Sequence, residues 1–206
     1  MKAIKNHILL VLSPLVLSPM IFVLSSCNLF GLSYAYSFQN ESGEDFHALT
    51  CDAYEFIQQR STNDFALMYQ AINRAGMEEY YHDSIFTFFI IKDAVWDEFL
   101  SSYHYSSINE VPVLTLQNYL KRSIVPGKYL SSDISAPIFV QTLDPNVTMR
   151  IYKTIVAATT SQNLNSLRAG WTNDNGKINQ VSCTTSNLEC TNGVIHVMGK
   201  RFTFMN

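Results

Sequence analysis

The sequence predicts a single α+β domain, with helices early in the chain and strands late. Three observations carry that class. Phe65, Met68, Ile72 and Ala75 recur at offsets 0, 3, 7 and 10, the spacing of one helical face. Residues 86–91 form an almost unbroken apolar run, short enough for a strand buried on both faces. Val147, Met149 and Ile151 alternate with Thr148, Arg150 and Tyr152, which is the period of a half-buried strand.

Taken in order, helical patterning begins at Tyr54-Glu55-Phe56-Ile57. Asn63 or Asp64 stands where it would cap the helix carrying Phe65 and Met68, and Gly76 stands where a left-handed residue would end it. After the 86–91 strand, Asp93 leads into Ala94, Val95, Trp96, Phe99 and Leu100 on a short helix. Residues 101–110 have no period and are expected as a loop. Leu116, Tyr119 and Leu120 mark a further helix that ends before Pro126-Gly127. Strands then dominate, at 139–143 and 147–152. Asn175-Gly176 suits a hairpin turn between Trp171 and Ile178. A second turn signal, Asn192-Gly193, precedes the β-branched run Val194-Ile195-His196-Val197. The chain shows no internal repeat and no low-complexity tract.

The first 26 residues read as an address. Lys2 and Lys5 supply a basic start, residues 8–24 are mainly apolar, and small residues precede Cys27. Leu24-Ser25-Ser26-Cys27 resembles a bacterial lipobox, which implies a lipid on Cys27 as the first mature residue. The rival is an uncleaved membrane anchor, but the apolar stretch is close to the lower limit for spanning and is interrupted by Pro14 and Pro19. The resemblance implies a lipid-anchored protein of the bacterial cell envelope, with the outer membrane as the expected location. Residues 27–48 are serine, aromatic and polar residues without a period, as a tether requires. Residues 49–206 remain for the domain.

Charge excludes one class of partner. The 14 lysines and arginines fall to 12 against 17 acidic residues once Lys2 and Lys5 leave with the leader. A nucleic-acid binder would show a basic patch instead. Aromatic residues at 13% and charged residues at only 15% describe a packed domain rather than a disordered chain. Three cysteines follow Cys27. Cys183 and Cys190 enclose a polar hexapeptide and are expected to close it as a disulfide in an oxidising compartment, contributing about 2–3 kcal/mol. A zinc site is the rival, but no second cysteine pair or His-x-His completes four ligands. Cys51 is then expected as a buried thiol.

Laid out this way, the chain resembles one fasciclin (FAS1) domain over residues 49–206. Asn192-Gly193-Val194-Ile195-His196-Val197 falls where that family carries its last motif. Thr87-Phe88-Phe89-Ile90-Ile91-Lys92-Asp93-Ala94-Val95 sits at the place of its Thr-x-Phe-Ala-Pro-like strand, with Ile91 in place of the proline. Phe139-Val140-Gln141-Thr142-Leu143 is similar to its Thr-Leu segment. Counting back from Pro126-Gly127, Ile124-Val125 is the family's hydrophobic pair, and the preceding Tyr-His position reads Arg122-Ser123. The resemblance implies N-terminal helices packed on a β-sandwich or wedge of antiparallel-rich sheets. It also implies a non-enzymatic adhesion or binding module, without cofactor or metal.

The candidate residues divide by chemistry. His196, in an apolar run, is expected to be a packed imidazole bonded to backbone, because a catalytic histidine needs an orienting partner and none can be placed. Asn192 and Gly193 are read as turn geometry. Arg122 and Ser123 offer a charge and a hydroxyl where the family has a ring and an imidazole, and are candidate partner contacts. Tyr103 and Tyr105, flanking His104, and the cluster Tyr80-Tyr81-His82-Asp83 suit protein contact or sugar stacking, or plain partial burial. Glu78-Glu79 and Asp97-Glu98 are adjacent pairs that diverge around a helix and read as solvated faces. No Gly-x-Ser-x-Gly or phosphate loop occurs. Asn40-Glu41-Ser42 and Asn146-Val147-Thr148 match the N-glycosylation pattern, which is usually silent in bacteria. The expected function is a membrane-tethered module contacting a protein or glycan. The alternative is a structural subunit of an envelope assembly for nutrient or glycan uptake, and a hydrolase stands third without a named acid/base pair.

Overall fold

The computed structural model describes residues 47–154, 166–172 and 178–200. Cys27, the leader, nearly all of the tether and the Asn175-Gly176 turn lie outside the described residues. The order is β1 (His47–Ala48), α1 (Ala53–Gln59), α2 (Ala66–Ala75), α3 (Glu78–His82), β2 (Phe86–Ile91), α4 (Asp93–Ser102), α5 (Val113–Arg122) and β3 (Ile124–Pro126). The strands β4 (Ile138–Gln141), β5 (Thr148–Thr154), β6 (Ser166–Thr172), β7 (Ile178–Cys190) and β8 (Gly193–Met198) follow. Short 3-10 turns lie at Ile108–Glu110 and Ser131–Asp133. β1 begins inside the stretch read as tether, pairing in parallel with Leu188 and Glu189 of β7.

Local chemistry explains the helix ends. Asp52 caps α1 and Glu55 returns the favour to the Asp52 amide, a capping box. α2 ends at Gly76 with φ +63, the left-handed turn that glycine enters at least cost. Its start corrects the expectation of a cap from Asn63 or Asp64. Phe65 occupies the cap position without a side-chain bond, and the carboxylate of Asp93 accepts from the Ala66 and Leu67 amides at 3.0 and 2.8 Å. The cap thus comes from the first residue of α4, which locks two helices together. Asp64 is engaged elsewhere, by Arg60 at 2.9 Å and Lys92 at 3.3 Å.

The strands run in the order β3-β2-β8-β7-β6-β5-β4, with β1 beside β7. β2 is antiparallel to β3 and parallel to β8, in register from Phe86 against Gly193 to Ile91 against Met198. Flanked on both edges and covered on both faces, it is the apolar strand that an unbroken hydrophobic run requires. β7 serves two sheets. Its first residues pair with β6 and its last with β8, and two register shifts within the β8 ladder kink the strand. The far edges approach where the Leu143 amide, just past β4, donates to the Ile124 carbonyl of β3 at 2.9 Å. The result is a mixed-sheet wedge close to a barrel, capped by helices: an α+β fold. In its core Trp96 meets Phe99 and Tyr119 edge-on, with centroids 5.8 and 5.3 Å apart, joining α4 to α5.

Candidate functional site

Asn192 is buried, and its amide ties three segments together. Its Nδ2 donates to the Tyr81 and His82 carbonyls at 2.7 and 3.0 Å, satisfying the end of α3. Its Oδ1 accepts from the Ala53 amide of α1 at 2.9 Å and from the Cys190 thiol at 3.3 Å. Asn192 is not in the left-handed region, so its side chain, rather than turn geometry, accounts for the residue. Gly193 has φ +144, and a Cβ there would stand 1.9 Å from the Phe86 carbonyl oxygen. Only glycine lets β2 and β8 pair this closely.

His196 is fully buried and stacked on Phe89, centroids 5.3 Å apart. It faces a bulge in β7, where Asn187 takes φ +60 and its amide leaves the ladder. That amide donates to His196 Nδ1 at 3.3 Å, and Nε2 donates to the Tyr129 carbonyl at 2.9 Å. Burial pulls the imidazole down to about 4, against the smaller opposing effect of the Tyr129 bond. The ring is therefore neutral near pH 7, with both nitrogens engaged. Asn187 extends the network, exchanging bonds with Ser131 Oγ at 2.7 Å and the Ser131 amide at 2.8 Å.

The expected Cys183–Cys190 disulfide is not formed; both are thiols. The polar stretch read as a loop is the middle of the long strand β7, whose rise of about 3.3 Å per residue holds the two roughly 20 Å apart. Burial pushes the Cys183 thiol well above its usual range and the Cys190 thiol up to about 11, so neither is a ready nucleophile. Cys51 is buried just ahead of α1. Among the described residues no three His, Cys, Asp or Glu side chains gather as a metal site requires.

The candidate contacts fare unequally. Ser123 is 1% exposed and its hydroxyl donates to the Leu120 carbonyl at 2.8 Å, so it offers a partner no surface. Arg122 is half-buried, with Nε 2.9 Å from Asp144. Burial pushes that carboxyl up, but bonds from Arg122 and Asn146 outweigh it and hold the group below its usual range. The pair at the Tyr-His position thus closes a turn and an ion pair. Tyr103 and Tyr105 are half-buried, their rings 5.0 and 6.3 Å from that of Phe99, with exposed His104 between them at φ +58. In the other cluster Tyr81 is fully buried against Phe88, whereas Tyr80 stays 40% exposed.

A groove that sequence reading missed lies between α2 and the 108–110 turn, lined by Tyr69, Gln70, Asn73, Arg74 and Asn109. Two of these residues, Tyr69 and Asn73, are held in a chain of side-chain bonds. The Tyr54 hydroxyl donates to Asn73 at 2.8 Å, Asn73 donates to the Tyr69 carbonyl at 2.7 Å, and Gln58 donates to the Tyr69 hydroxyl at 3.2 Å. Burial and the neighbouring Tyr69 push the Tyr54 phenol up to about 12, which keeps it a donor. His82 leans on the Tyr54 ring at 4.4 Å and bonds Asp52 at 2.7 Å. The signal available in the sequence was the pair of i,i+4 rows 69/73 and 70/74 on one helix.

This geometry defines a class: a mixed-sheet domain whose most distinctive polar residues are bonded internally. The Fasciclin domain model matches residues 63–202, and the chain belongs to that family. Its structure is similar to that of a FAS1 domain pair from the insect cell adhesion molecule fasciclin I. The TM-score is 0.50 at 16% sequence identity, covering 70% of this chain and 49% of that one. The chain thus spans about half the length of that domain pair, and the likeness is one of fold. No curated relative matches the chain. Fasciclin domains are generally adhesion and binding modules.

Proposed function

We propose that this chain is a membrane-tethered extracytoplasmic binding module, held by lipid at Cys27 to the bacterial outer membrane and contacting a protein or glycan partner without catalysing a reaction. The observation that carries this reading is the division of labour within the domain. Asn192 and His196 are saturated by internal bonds, while amides, a guanidinium and tyrosine rings stand on the helical surface. A domain built this way presents a fixed surface rather than a reactive pocket. The leader ending in Leu-Ser-Ser-Cys27 supports the tether. The test has two parts. Cys27→Ala is expected to move the protein out of the membrane fraction and change its mature mass; an unchanged fraction and mass overturn the lipid anchor. Pull-down of the full chain from detergent-solubilised envelopes is expected to capture a partner that washes off with competing glycan or protein. A stoichiometric partner that resists washing would instead favour a subunit of a standing assembly.

A further inference from the structure

The groove on α2 has a built side and an open side. Tyr69 and Asn73 are held by Gln58 and Tyr54, so these two lining side chains are already positioned before a ligand arrives. Beside them, Gln70 and Asn109 have no protein partner among the described residues, and Arg74 spends only Nε, on the Val111 carbonyl at 3.2 Å. That bond braces the guanidinium against the 108–110 turn, where Ile108 and Val111 are fully buried anchors. Two amides, four guanidinium N–H donors and part of a phenol ring therefore converge on one cleft.

Three properties narrow the occupant. None of the five lining residues is a carboxylate, although the chain carries more acidic than basic residues, so the groove suits a negative group. It holds no apolar pocket for a peptide's anchor side chain, and a helix presents no open backbone edge for strand addition. Amides fork to neighbouring hydroxyls through a donor and an acceptor at once, and the half-exposed Tyr69 ring offers a sugar the edge of an apolar face. We propose that the groove is a binding site for an acidic saccharide, in which Arg74 receives a sugar carboxylate and Gln70, Asn109 and Tyr69 hold the ring. Glu78, at the start of α3, acts electrostatically on both Tyr54 and Tyr69 and so opposes an anion there.

This inference rests on the binding-module reading and names the ligand class of one surface. The test uses the full chain in detergent, with trigalacturonate and its methyl ester as probes in titration calorimetry. Trigalacturonate is expected to bind saturably, with Kd of about 0.1–1 mM for so open a groove. Arg74→Met is expected to weaken it about tenfold and the ester's already weaker binding less, while lowering the melting temperature by no more than a few degrees for the lost bond to the Val111 carbonyl. Glu78→Gln is expected to tighten it two- to threefold (about that much for one partly screened charge). No saturable binding, equal affinity for acid and ester, or an unaltered Arg74→Met affinity overturns the proposal; so does competition by an extended peptide alone. Envelope pull-down separates the two readings: a partner captured equally by wild type and Arg74→Met leaves the module standing and removes this groove from its function.

Discussion

Asn192 and Asn109 are both asparagines beside short turns of one domain, and they are used in opposite ways. Asn192 is buried, with its amide bonded to α1, to the end of α3 and to Cys190. Asn109 is exposed, and its amide opens onto the α2 groove. The same contrast separates His196, whose two nitrogens are both bonded to backbone, from Arg74, which commits one of its three. The motif by which the domain is recognised is therefore spent on holding the domain together. The surface that has bonds to give carries no family signature. Changes at the signature should therefore act on stability, and changes at the proposed groove site chiefly on binding.

The largest expected effect is at Gly193. Alanine would place a methyl carbon 1.9 Å from a backbone oxygen of β2, and β2 and β8 cannot separate without opening the sheet that joins β3, β2, β8 and β7. Gly193→Ala should cost more than about 4 kcal/mol in urea denaturation, or prevent folding. A variant within a few degrees of wild type would break the comparison at its root. Next comes Asn192→Asp, which replaces a donor to two carbonyls with a carboxylate facing them. A loss of about 3 kcal/mol is expected in the same measurement, since two buried acceptors go unpaired beside a new charge.

Much of this fold was legible in the sequence, and the reasons it was legible are local. Helix periods at Phe65–Ala75, the 86–91 run and the 147–152 alternation each reflect one element meeting one core, and each element is present. What sequence did not disclose depended on partners distant in the chain. The cap of α2 comes from Asp93, 26 residues and more away, so the nearer Asp64 was the natural guess. The length of β7 is set by pairing with two different strands, so its polar middle read as a loop. Ser123 is buried by packing that the motif position does not reveal. The groove joins α2 to a turn more than 30 residues later, and its residues are commonplace on any solvated helix.

The signature also predicts a pH response. His196 titrates in the folded domain at about 4 rather than 6.5, because burial disfavours its cation. Between those values the unfolded chain takes up a proton that the folded domain refuses. Stability from this group is therefore full above pH 6.5 and declines as the pH falls towards 4, by about 3 kcal/mol in all. His196→Gln should be less stable at pH 7 yet flatter over that window, by up to one proton in the slope of unfolding free energy. A variant as steep as wild type would assign the response to other groups. A smaller effect is expected at the helix junction, where Asp93→Ala removes both acceptors of the α2 cap and should cost about 1–2 kcal/mol in thermal unfolding.

The smallest expected effect is none at all, and it still bears on the comparison. Cys183 and Cys190 lie seven positions apart on β7, and the intervening residues include Thr185 and Leu188, paired with Val197 and Ile195 of β8. A bridge between the two thiols would need this stretch to fold back on itself, pulling the Asn187 amide away from His196 and the Cys190 thiol from Asn192. Dithiothreitol is therefore expected to shift the melting temperature by less than about 1 °C, where a native disulfide would contribute 2–4 kcal/mol. Alkylation of the unreduced, denatured protein should modify Cys183, Cys190 and Cys51 alike, read by mass. A protein that labels at Cys51 alone would carry the bridge, and its signature strand could not then pair with β7 as it does here, so the saturation of Asn192 and His196 would fall with it.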